Sequence, residues 1–184
     1  IVNGLNLQMF LYLFNVCADG SNPYAGVPAG VLYMHAARSV MTVETKRSAE
    51  KDIAGQEDKA FGMNGIVITN PDCDIPAAME HDLAGKYIPV RLKKSGVGGS
   101  LASLEQLGLL QRKIEALVAD MGNALQNGQI GQHPVQAKDH DKTCEYCDFA
   151  SVCAFKKSVT PRTYDDQTDS AVLAELEKEG ENHA

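Results

Sequence analysis

"CEYCDFASVC", Cys144 to Cys153, places three thiols within ten residues near the end of the chain. Cys144 and Cys147 are separated by two residues, so one tight turn can present both to a single ion. Cys153 follows closely enough to return to the same centre. Glu, Tyr, Asp and Phe lie between the thiols, which is not the composition of a packed interior. Unrelated core cysteines therefore explain the run poorly, and a metal centre explains it well. Structural zinc usually draws its ligands as two short pairs, and no second pair is present. His133 and His140 lie nearby and could complete a Cys3His zinc site. An iron–sulfur cluster with its fourth ligand elsewhere is the other solution. The spacing alone leaves both open.

The rest of the composition narrows the setting. Five cysteines, three of them clustered, do not make the even, dispersed set of a secreted disulfide framework. A reducing, cytoplasmic compartment fits better. At 184 residues the chain is long enough for one domain with a sizeable core. Its longest apolar run, LQMFLYLFNV, is too short for a bilayer and contains Gln8, so no membrane association is expected. The net charge of −7 argues against nucleic-acid binding by bulk electrostatics alone. It leaves room for a metal-dependent nuclease, whose chemistry needs carboxylates. Ile1 opens directly onto helix-like sequence with no initiator Met, and the expectation is a fragment of a longer chain.

Along the chain, LNLQMFLYLFNVC (5–17) is apolar around its circumference and reads as a buried helix, capped by Asn3 and ended by ADGSNP. AGVLYMHAA (29–37) reads as a buried strand, with GIVIT (65–69) and YIPVRL (87–92) as short strands. SGVGGS (95–100) reads as a flexible turn, and 44–62 as an exposed helix. The clearest helix is 100–125, where Leu104, Leu107, Leu110, Ile114, Leu117 and Met121 recur at helical spacing. Ser100 or Ser103 can cap it, with Glu105 in a capping role. An acidic tail begins at Asp165, and its one helical pattern, AVLAELEKE, could dock on a partner but reads rather as solvated.

Lys142 to Phe155 resembles the C-terminal cysteine segment of AddB-type subunits of bacterial AddAB (RexAB) helicase–nucleases. As in that family, a proline-containing stretch, Gly128 to Pro134, precedes the C-x2-C-x5-C pattern. CRISPR-associated RecB-like nucleases are similar here. A second match is Asn3-Gly-Leu-Asn-Leu-Gln8-Met-Phe-Leu-Tyr12, which resembles the Q-x3-Y helix after the catalytic strand of RecB-like PD-(D/E)xK nucleases. Gln8 and Tyr12 are spaced to share one helical face. A Gln buried in so apolar a helix would need hydrogen-bond partners.

The resemblance implies an α/β fold: the C-terminal part of a restriction-endonuclease-like domain over 1–127, an iron–sulfur cysteine segment over 128–160, and the acidic tail over 161–184. It implies that Cys144, Cys147 and Cys153 ligate a [4Fe-4S] cluster whose fourth cysteine lies upstream of Ile1. Gln8 and Tyr12 would support a catalytic Mg2+ site. DNA ends would be the substrate and an AddA-type helicase–nuclease subunit the partner. The family's catalytic D…(D/E)xK residues precede the Gln8 helix and should therefore lie before Ile1. Glu44-Thr-Lys46 and Glu57-Asp-Lys59 fit E-x-K loosely, but they follow the helix and read as chance matches. The isolated chain is expected to be inactive. A zinc-stapled, non-catalytic interaction module is the rival reading.

Overall fold

In a computed structural model of the chain, structure is described for residues 7–36, 60–131, 134–137, 147–153, 162–164 and 167–181. Glu44, Lys46, Glu57, Lys59, Cys144 and the exposed helix expected over most of 44–62 lie outside these residues, as do Asn3, His133 and His140. The architecture is mixed α/β. Helix α1 (Gln8–Ala18) leads to β1 (Gly30–Tyr33), β2 (Asn64–Thr69) and the short α2 (Ile75–Met79). A hairpin of β3 (Val90–Lys93) and β4 (Gly96–Gly99) follows, then β5 (Leu101–Ser103) and the long α3 (Leu104–Gln126). The C-terminal part holds β6 (Val135–Ala137), α4 (Ala150–Cys153), β7 (Arg162–Tyr164) and α5 (Asp169–Glu181).

The central sheet runs β1-β2-β5, antiparallel on one side of β2 and parallel on the other. Alternate residues of a strand point to opposite faces, and β2 separates two cores in this way. Ile66 and Ile68 join Phe10 of α1, Leu107, Leu110 and Ile114 of α3, and Leu173 and Leu176 of α5. Val67 points the other way, into a cluster with Ile75, Leu83, Ile88 and Val90. A strand covered on both faces reads as a continuous apolar run, which is how GIVIT is written. Gly65 sets how closely β1 can lie: its φ is +141°, and a Cβ there would stand 2.0 Å from the Val31 carbonyl oxygen. Only glycine fits that position without backbone movement.

Strand β5 passes into α3 without a loop. Ser103 Oγ accepts the Gln106 amide at 3.1 Å, and the Gln106 side chain accepts the Ser103 N–H at 2.8 Å. This is a capping box, completed by Gln106 rather than the expected Glu105. The helix ends at Gly128, which adopts φ +66°. Leu107, Leu110 and Ile114 pack inward as expected, whereas Met121 is exposed. The inward stripe therefore serves only the first half of the helix.

Three expectations are corrected. SGVGGS forms a strand as well as a turn: Val90–Lys93 pairs antiparallel with Gly96–Gly99 around Lys94-Ser95. AVLAELEKE does not sit free in solvent. Its helix, α5, buries Leu173 and Leu176 in the main core. At its rim the Gln106 side chain donates to Glu177, and Lys113 pairs with Glu179 at 2.9 Å. The ion pair is partly solvated and contributes little, so the two leucines carry the docking. Finally, α1 is a surface helix: of its residues only Phe10 is fully buried, while Met9, Tyr12 and Val16 are exposed.

One charged side chain is buried among the described residues. Glu80, 6% exposed, ends the turn after α2 and accepts the backbone N–H groups of Lys86, Tyr87 and Ile88 at 2.9, 3.0 and 3.1 Å. Burial pushes its pKa up, but these amides together with that of Gly85 outweigh it and hold the carboxyl below its ordinary value. The carboxylate thereby fixes the segment leading into β3.

Because the folded pKa is depressed, the stability this group contributes is present above the unfolded glutamate pKa of about 4.3 and is lost as pH falls through the folded value. Glu80→Gln, with an NH2 facing amides that need an acceptor, should lower stability at neutral pH by roughly 1–3 kcal/mol. Chemical denaturation at a series of pH values checks both points. Stability of the variant should fall less steeply than that of the parent below about pH 4.3. Equal stability of the two proteins at neutral pH would show the carboxylate to be dispensable.

Candidate functional site

Helix α1 presents the first candidate residues. Gln8, Met9, Tyr12, Asn15 and Val16 are exposed, and at 100° per residue they fall within about a third of the helical circumference. The opposite side, centred on Phe10 with Phe14 beside it, packs into the core. The two rings are 6.2 Å apart. Gln8 is thus not the buried amide that the apolar surroundings suggested. Its Nε2 donates to the Tyr12 hydroxyl at 2.7 Å, one helical turn along. The i, i+4 spacing brings the pair together on the outer face as expected. That bond uses one of the two Gln8 N–H groups and leaves the amide oxygen available to accept. Asn15, the next polar residue along this stripe, turns its amide back to the Leu11 carbonyl at 2.8 Å.

The cysteine segment is described from Cys147 to Cys153. Cys147 precedes a turn, and Cys153 closes α4, donating its backbone N–H to the Phe149 carbonyl at 2.8 Å. Both cysteines are exposed and neither is in a disulfide. Phe149 and Val152, between them, are 71% and 83% exposed. Apolar contact from these two side chains therefore does little to hold the segment. Cys17, part-buried on α1, and Cys73, in the turn after β2, belong to other elements. Among the described residues no three His, Cys, Asp or Glu side chains converge as metal ligands would, so neither of these joins Cys147 and Cys153 in such a group.

Cys147 and Cys153 are both exposed and close in sequence, so the chemistry of this donor pair suits a thiolate-ligated centre. The described residues offer no carboxylate group of comparable size for Mg2+. Glu80 is no substitute, because the backbone amides already occupy both of its oxygens. Nothing in AAMEHDL distinguishes it beforehand from an ordinary surface glutamate.

A cavity of about 630 Å3 opens between α1, the β1–β2 pair and α5, lined by Phe10, Val31, Ile66, Leu173 and other mainly apolar groups. Asp169, at its rim, accepts a hydrogen bond from Ser100 at 2.8 Å. Neither Gln8, Tyr12 nor a cysteine lines it. No described helix is long and apolar enough to cross a membrane.

Comparison with known proteins places this arrangement. Residues 2–154 match the PD-(D/E)XK nuclease superfamily. The chain is 31% identical to the B-type subunit of the ATP-dependent helicase/deoxyribonuclease of Bacillus thuringiensis (strain Al Hakam), over 96% of its own length. It is also 31% identical to the protein of the same name from Oceanobacillus iheyensis, over 98% of its length. It spans 16% of the length of each of these relatives. A mixed α/β sheet flanked by helices, with a Gln–Tyr pair on the helix before β1, stands within that match, and the chain belongs to the PD-(D/E)XK nuclease superfamily.

Proposed function

We propose that the chain is the C-terminal part of the nuclease domain of an AddB-like subunit. In this reading the parent is an ATP-dependent helicase and Mg2+-dependent exodeoxyribonuclease. It processes DNA double-strand ends in the cytoplasm for recombinational repair, together with an AddA-type subunit. The observation that carries the reading is the similarity to B-type helicase/deoxyribonuclease subunits over 96% of the chain, supported by a hydrogen-bonded Gln8–Tyr12 pair whose spacing resembles the Q-x3-Y helix of RecB-like nucleases.

In the parent, the carboxylates and lysine of the D…(D/E)xK set would come from sequence before the Gln8 helix, and on this reading the 184 residues alone would not cleave DNA. A divalent metal on those carboxylates would stabilise developing charge on the phosphate. Gln8 and Tyr12 act by positioning. The Gln8 amide oxygen accepts a hydrogen bond while its NH2 is steered by Tyr12, which fixes the amide's direction. Cys144, Cys147 and Cys153 hold a [4Fe-4S] cluster with a fourth cysteine upstream. The cluster closes a long loop and stabilises the domain chiefly by restricting the unfolded chain.

Two measurements test this. In the full-length protein with its partner subunit, Gln8→Ala should reduce nuclease turnover roughly 10–100-fold, the scale of an orienting group beside a metal site. Its melting temperature should hardly change, since the side chain is exposed. Unaltered turnover would remove Gln8 from the site.

In the same protein purified without oxygen, Cys147→Ser should abolish the iron absorbance and lower the melting temperature of the nuclease domain. Full iron content in that variant would exclude Cys147 as a ligand. Stoichiometric zinc in the unaltered protein would favour the zinc-stapled module instead.

A further inference from the structure

Charge is distributed unevenly over this acidic chain. Residues 83–104 contain Lys86, Arg91, Lys93 and Lys94 and no Asp or Glu. The stretch carries +4, and since the whole chain is −7, the remainder carries −11. Most of these cations stand on the β3–β4 hairpin. Its base is anchored: Val90 is 1% exposed, and the Glu80 carboxylate holds the amides just before it. Beyond Val90 the ribbon leaves the core, with Leu92 63% and Val97 44% exposed.

The register arranges the charges. Arg91 lies opposite Gly98 and Lys93 opposite Gly96. Residues two apart in a strand share a face, so both cations stand on one side of the ribbon and face a strand that has no side chains there. Lys93 lies across the bare backbone of Gly98, its Nζ 3.3 Å from where a Cβ would be. Lys94 follows at the turn and is exposed. Among the described residues no carboxylate or hydrogen-bond acceptor engages the side chains of Arg91, Lys93 or Lys94. At the foot of the ribbon the half-exposed Tyr87 ring has the Lys86 ammonium 5.2 Å from its centre.

Unpaired cations in a row along an extended, glycine-flattened face suit a linear polyanion that must approach the backbone closely. At about 3.3 Å per residue, Arg91 and Lys93 lie roughly 6.6 Å apart along the strand. A two-stranded ribbon is also a shape that enters nucleic-acid grooves, and an aromatic beside basic groups is a usual companion of a DNA strand. We propose that the β3–β4 ribbon is a docking element for the phosphate backbone of DNA, contacted by Arg91, Lys93 and Lys94. This inference rests on the nuclease reading and adds to it a binding surface separate from Gln8 and Tyr12.

The test is fluorescence anisotropy of labelled single-stranded and duplex oligonucleotides with the full-length protein, across a salt series. Each phosphate contact contributes about 0.7 to the slope of log affinity against log salt for a single strand and about 0.9 for duplex. Replacing Arg91, Lys93 and Lys94 together with alanine should lower the slope by about 2 for a single strand or nearly 3 for duplex, which identifies the form bound. Affinity at about 0.1 M salt should fall roughly a hundredfold or more. Lys93→Arg with Lys94→Arg, which keeps the charge, should retain the parent slope. If the triple variant does not fold, Lys94→Glu, confined to the exposed turn, should still weaken binding and reduce the slope. An unchanged slope in the folded triple-alanine variant, or in Lys94→Glu, would overturn the ribbon proposal and leave the nuclease reading standing. Unchanged DNA affinity with loss of the partner subunit would overturn it too, assigning the ribbon to an acidic protein surface. No DNA binding by the unaltered protein would remove both readings.

Discussion

Strand β2 is dry on both faces, and the rest of the described structure is arranged around that condition. Val67 and Ile68 have no exposed surface, yet they point in opposite directions. A strand in this position needs two separate covers. Helices α1, α3 and α5 supply one, and the segment from α2 through Val90 supplies the other. Burying one such side chain contributes roughly 1.5–3 kcal/mol, so neither cover can be lost cheaply. The β2–β5 pair is parallel and requires a crossover. That crossover, residues 70–100, itself forms the second cover, so sheet topology and core formation are one problem here.

Much of this was written plainly in the sequence. GIVIT is apolar without alternation, as a doubly covered strand must be, and the 104–126 helix shows its start and inward stripe. The hairpin was harder to see. Its second strand, GVGG, has almost no side chains to declare a period, and its glycines serve close approach instead. At Gly99 a Cβ would stand 2.1 Å from the Pro89 carbonyl oxygen. Strand propensity measures side-chain packing and is silent where pairing needs the side chain removed. The docking of α5 was hidden for a different reason. Leu173 and Leu176 are only two apolar residues on an acidic helix, and whether two suffice depends on the surface α3 offers.

The candidate site divides along similar lines. Spacing alone put Gln8 and Tyr12 on one face, because helical geometry is local. It could not assign that face to solvent, since Met9 and Val16 are as apolar as the residues that pack inward. The cysteine spacing indicated thiolate chemistry, and the exposed Cys147 and Cys153 are compatible with it. Glu80 was invisible, because its role lies in backbone amides six to eight residues away that no side-chain pattern reports.

That carboxylate has a consequence for how the protein breathes. Lys86, Tyr87 and Ile88 lie in no strand or helix, yet their amide hydrogens are bound to a buried anion. Exchange of those hydrogens with solvent requires their bonds to the carboxylate to open, and Ile88, which carries one of them, is itself packed in the second core beside Val90. By this linkage a stretch of irregular backbone belongs to the slowly opening unit of the fold. The carboxylate thus extends the second core into backbone that no strand or helix holds, as far as the base of the hairpin at Val90.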